Sequence, residues 1–64
     1  MKEYEVITKN GRPYLRHWHT IYQGGYRDMT IYGAKTATPY VKWNWLRFEL
    51  DDEMKHQLAR ILGA

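Results

Sequence analysis

Cysteine is absent from the 64 residues. That removes disulfide staples, thiolate metal sites and thiol nucleophiles, and leaves the redox compartment open. No apolar run approaches the roughly 20 residues a membrane span needs, and no signal-peptide apolar stretch follows Lys2. An intracellular chain with no membrane partner is expected on that ground. Ser–His–Asp spacing, a Gly-rich phosphate loop and carboxylates paired in a pocket are also missing. No enzymatic activity and no cofactor are expected. A ribonuclease built on His17, His19 and Arg16 is conceivable from their acid–base chemistry, but so short a chain could hardly bury a cleft around them.

What is present is a hydrophobic fraction of 44% with 27% charged residues, the balance of a chain that folds in water. A mass of 7.8 kDa allows a single small domain over residues 1–64. Ordering such a chain costs on the order of 100 kcal/mol at about 1.5 kcal/mol per residue. Aliphatic side chains are few, so the three Trp, six Tyr and one Phe are the natural source of further buried area. A homodimer that buries more of them is expected from size alone.

The first fifty residues read as strands. Residues 3–8 carry Tyr4, Val6 and Ile7 and run into Asn10-Gly11, the strongest short hairpin signal. Pro13 opens the return strand, where its missing amide is tolerable. The spans 14–23 and 26–32 follow, joined at Gly24-Gly25. Residues 33–39, small and polar, read as a loop. A fourth strand is predicted over 40–49, with Trp43, Trp45, Leu46 and Phe48. The phase of the two Trp against Leu46 is left open, since an intervening bulge would shift it. The period then changes. Asp51 is a good N-cap for a helix over about 52–62, with Asp52 and Glu53 in its first turn and Gly63 as its stop. The expected fold is α+β: a four-stranded antiparallel sheet followed by one C-terminal helix packed on one face.

Alternation divides the sheet. A Gly24-Gly25 loop with a glycine bulge would set Leu15, Ile21, Met29 and Ile31 on the helix side, joined by Leu46, Phe48 and Leu50. The reverse face would gather Tyr14, Arg16, Trp18, Tyr22, Tyr26, Tyr32, Trp43, Trp45 and Arg47. The first hairpin would place Ile7 opposite Tyr14 and Glu5 opposite Arg16. Charge follows the same division. Residues 1–48 hold eight basic and three acidic side chains, and 49–64 hold two basic and four acidic, within a net charge of +3. An anion would be drawn to the sheet and away from the helix.

Rings interleaved with cations on a sheet can stack unpaired bases and neutralise phosphates. The expectation is a small basic module for single-stranded nucleic acid. Arg16, Arg27, Lys42 and Arg47 would meet phosphates; Trp18, Tyr22, Trp43 and Trp45 would stack. Arg27 and Lys42 fall on the helix side by strict alternation and qualify by lying near strand ends. The same face would equally suit a protein partner, for example as a small inhibitor of a nucleic-acid enzyme, or the seam of a dimer. Duplex DNA fits less well, because the single predicted helix is acidic. His17 and His19 form an H-x-H pair on one strand face, but His56 lies opposite the helix's apolar stripe, so no metal site is expected. Core-edge histidines bonded to backbone are the simpler account.

The stretch from Leu46 to Leu62, LRFELDDEMKHQLARIL, resembles the end of the positive cofactor four family of single-stranded-DNA-binding transcriptional coactivators. The likeness lies in a strand, an acidic cap and an amphipathic helix. It implies a four-stranded sheet that binds single strands, a dimeric domain, core roles for Phe48 and Leu50 in the last strand, and for Met54 and Leu58 in the helix. The family's glycine- and lysine-rich approach to that strand is replaced here by Trp43-Asn44-Trp45.

Overall fold

The computed structural model describes residues 3–19 and 25–63. Among the described residues five strands precede one helix: β1 (Tyr4–Lys9), β2 (Arg12–His19), β3 (Gly25–Thr30), β4 (Tyr40–Trp43), β5 (Leu46–Glu49) and α1 (Asp52–Ile61). The α+β class holds, but the single four-stranded sheet does not. The strands form a three-stranded antiparallel sheet, β1-β2-β3, and a separate antiparallel hairpin, β4-β5. Two backbone hydrogen bonds between Tyr32 and Tyr40, 2.8 and 3.0 Å, tie the two together as an isolated bridge.

The first hairpin forms where its turn chemistry placed it. Asn10 and Gly11 both adopt positive φ, 52° and 76°, the type I′ geometry that suits the twist of the flanking strands. Lys9 then pairs with Arg12, Ile7 with Tyr14 and Glu5 with Arg16. Pro13 faces Thr8 next to the turn pair. By the alternation of antiparallel ladders that pair exchanges no hydrogen bonds, so β1 does not miss the proline's amide.

In the second pairing Leu15 faces Met29, Arg16 faces Asp28 and Trp18 faces Tyr26. Paired residues share a face, so the predicted division of the first three strands stands: Val6, Leu15 and Met29 on one side, Tyr14, Arg16, Trp18 and Tyr26 on the other. His19 pairs with Gly25, so Gly25 is the first residue of β3 and not part of the tight glycine-bulge loop expected at Gly24-Gly25. The described part of β2 ends at His19, and the rest of the expected strand, Ile21 and Tyr22 included, lies outside the described residues.

The predicted fourth strand is two strands. Trp43 pairs directly with Leu46, which leaves Asn44 and Trp45 as a two-residue turn. Asn44 carries the positive φ, 57°, a conformation asparagine tolerates better than most residues. A turn, not a bulge, therefore breaks the phase between the Trp pair and Leu46.

The core is small. Val6, Leu15, Ile31, Val41, Leu50 and Leu58 are buried, with Met29, Ala34, Met54 and Ile61 packed around them. Helix α1 starts as predicted, the Met54 amide donating to Asp51 Oδ1 at 2.9 Å, and Gly63 follows its end at φ 81°. Gln57 fixes the helix to the sheet: its Oε1 accepts the Val6 amide at 3.0 Å across 51 residues of sequence. The 33–39 loop is held by its own bonds. The Thr36 hydroxyl donates to the Gly33 carbonyl at 2.7 Å and accepts the Thr38 amide at 3.3 Å.

Candidate binding surface on the second hairpin

Seven of the eight residues expected to bind lie among the described residues and occupy separate places; Tyr22 lies outside the described residues. Arg16 and Trp18 share the outer face of the three-stranded sheet, and their chemistry is used internally. The Arg16 guanidinium donates to Asp28 through Nε at 2.9 Å and Nη2 at 3.2 Å, and lies 3.8 Å from the centre of the Tyr26 ring. Lys9 reaches the same carboxylate at 3.0 Å and sits over Tyr14. Trp18 meets Tyr26 edge to face at 5.3 Å. The hydrogen bonds from Arg16 lower the Asp28 pKa below its ordinary value, against the opposing effect of burial and with help from Lys9. The same bonds raise the pKa of Arg16. Two cations thus share one carboxylate in a closed cluster, and the rings beside them are partly covered.

Arg27 points to the other side. It faces His17 in the register and packs its guanidinium 4.4 Å from the Trp43 ring. Tyr4 stacks on His17 at 4.5 Å, and His19 lies 4.7 Å from it. Ring contacts with Tyr4 and His19 hold His17. Among the described residues no three His, Cys, Asp or Glu side chains converge as a metal-binding group. Trp43 therefore stands on the helix side, not the reverse face expected for it. It lines a groove of about 280 Å³ between sheet and hairpin, with Leu15, Met29, Phe48, Leu50 and Met54.

The β4–β5 hairpin carries the remaining three. Lys42 and Arg47 face each other across the ladder. Lys42 lies 5.3 Å from the Tyr32 ring centre and Arg47 3.8 Å from that of Tyr40, and these two rings are stacked at 5.4 Å. Neither cation has a carboxylate within ion-pair distance among the described residues. Trp45, at the turn, is 99% exposed. On the hairpin's opposite side Leu46 and Phe48 are 59% and 48% exposed. They do not join the helix-side core expected of them; Leu50 does. Once the chain turns at Asn44, β5 lies beyond β4 as the last strand of the hairpin, and Phe48 lines the groove beside Met54 without being buried in it.

Sequence reasoning missed two features. One is the role of Gln57 in closing the β1 edge, which no local pattern announces. The other is the open edge of β5. Its only signal was Asn44 between two Trp, a turn-forming residue inside an apparent strand. All four residues of β5 are exposed. Its Leu50 amide points inward to the Pro39 carbonyl at 3.1 Å, so by alternation the backbone groups of Arg47 and Glu49 point outward. Among the described residues no helix is long and apolar enough to cross a membrane. Searches found no protein-family model, no curated protein and no solved structure that matches the chain.

Proposed function

We propose that the chain is a small protein-binding module that takes an extended strand of its partner onto the outer edge of β5. The observation that carries this reading is the edge itself. It combines outward backbone groups at Arg47 and Glu49 with apolar Leu46 and Phe48 on one side and charged side chains on the other. Strand addition draws affinity from such main-chain bonds and selectivity from alternate side chains. An unprotected edge of this kind is a standing template for pairing. Trp45 beside it supplies a large ring of the sort enriched at interfaces.

Single-stranded nucleic acid is the second reading, and Lys42 opposite Arg47 favours it. Two like charges set directly across a ladder are mutually unfavourable, and a phosphate between them would relieve the repulsion. The support is confined to the hairpin, because Arg16 is neutralised by Asp28 and the cations on Tyr26, Tyr32, Tyr40 and Trp43 occupy positions a base would take.

The two readings separate in one titration followed by amide exchange and Trp fluorescence. Extended peptides with apolar residues at alternate positions should slow exchange at the Arg47 and Glu49 amides and shift Trp45 emission, with little response to salt. If the peptides leave those amides unchanged while a mixed-sequence oligonucleotide binds with a log–log salt slope of about −0.7 per phosphate contact, the protein-binding reading is wrong.

A further inference from the structure

The exposed edges of this fold are not equivalent. Gln57 closes part of the β1 edge from the helix. The outer edge of β3 is flanked by β4, which departs from the Tyr32–Tyr40 bridge with Trp43 held against Arg27. Beside β5, no strand pairs on the side away from β4 among the described residues. The sequence of that edge, Leu46-Arg47-Phe48-Glu49, is complementary to itself when reversed.

We propose that β5 is the seam of a two-fold homodimer, in which it pairs antiparallel with β5 of a second copy about Phe48. The proposal rests on the strand-addition reading above and names its partner. In this register Arg47 stands opposite the partner's Glu49, and Glu49 opposite the partner's Arg47, so both crossings bring together opposite charges. These are also the residues whose backbone groups point outward, and each pair exchanges both hydrogen bonds of a narrow antiparallel pair. Phe48 meets the partner's Phe48 on the axis as a wide pair, whose side chains approach more closely.

The alternative registers fail on charge or on faces. A shift of two residues one way sets Arg47 against the partner's Arg47, and the other way sets Glu49 against the partner's Glu49. A shift of one residue places charged side chains on the apolar side and misaligns the outward backbone groups. The two-fold pairing creates a continuous four-stranded sheet from two hairpins. Its apolar side gathers Trp43, Leu46 and Phe48 from both copies. Such a sheet gives a chain with six buried hydrophobic residues, and no completely buried side chain among those described, a second apolar surface to cover.

Sedimentation equilibrium of the full chain tests this. The wild type should sediment at twice 7.8 kDa. Arg47→Glu and Glu49→Arg should each weaken the dimer by on the order of tenfold or more, because each turns both crossings into like-charge pairs. An equimolar mixture of the two variants should regain the dimer, since every crossing is again opposite in charge. Both substitutions lie on exposed residues, and circular dichroism of each variant reports whether it has folded. A wild-type monomer at millimolar concentration overturns the proposal, as does a dimer that both single variants leave unweakened or a mixture that fails to associate. If the wild type is monomeric but peptides still protect the Arg47 and Glu49 amides, the strand-addition reading survives and only the self-pairing falls. If neither occurs, both fall.

Discussion

Asp28 decides the character of the sheet's outer face. Its side chain is 8% accessible and takes hydrogen bonds from Arg16 and an ion pair from Lys9. The composition of residues 1–48 describes a basic surface, yet two of its cations are already paired with this one carboxylate. The residue types were legible; their pairing was not, because it needs Lys9 on β1 and Asp28 on β3 brought together across β2. The pairing has a pH signature. A carboxylate with a folded pKa below its unfolded value contributes stability that is fully present above the unfolded value, near 3.8, and lost as pH falls through the folded value. Asp28→Asn should therefore lower the melting temperature at pH 7. The loss of stability between pH 5 and the acid range should also be smaller in the variant than in the wild type. Parallel acid limbs in thermal melts would show that Asp28 carries no such linkage.

At the scale of elements, local signals worked where one short motif suffices. Asn10-Gly11 gave its type I′ turn, and Asp51 caps α1 through the Met54 amide. Asp52 and Glu53 in the first turn and Arg60 in the last complement the helix dipole. Removing the cap with Asp51→Ala should cost about 0.5–2 kcal/mol. In a domain this small that lowers the melting temperature by about 4–8 °C per kcal/mol, measurable by thermal circular dichroism. Asp51→Asn, which keeps the accepting oxygen, should recover most of the loss. The misread element is 40–49. Its residues are strong strand formers on both sides of Asn44, and propensity alone supports one long strand as well as two short ones. The deciding fact is the positive φ at Asn44, which permits Trp43 to pair with Leu46.

The whole molecule has little stability to spare. For 64 residues the expected total is roughly 3–10 kcal/mol. Leu58 is the one buried residue of α1, at 3% exposure, and packs with Val6, Leu15, Ile31, Val41 and Leu50. Leu58→Ala should cost about 2–5 kcal/mol, enough to leave a large unfolded fraction in a urea melt at 25 °C. A loss below 1 kcal/mol would mean that helix docking is not what holds the fold. The hairpin adds few residues to this core beyond Val41 and Leu50. Among its other apolar side chains, Leu46 and Phe48 remain about half exposed and Trp45 almost wholly so, and it is here that the candidate binding surface lies.

Residue order alone determined which side chains share each face of the first three strands, where the first turn falls and where the helix begins and stops. Those properties depend on a period of two, on backbone preferences at single residues and on one capping oxygen, all of them local. Which cations are neutralised, which strand is left at the edge and which rings stay uncovered were decided only when distant segments packed. Charge pairing and burial depend on neighbours that lie close in space and far apart in the chain, and nothing in a local pattern encodes them.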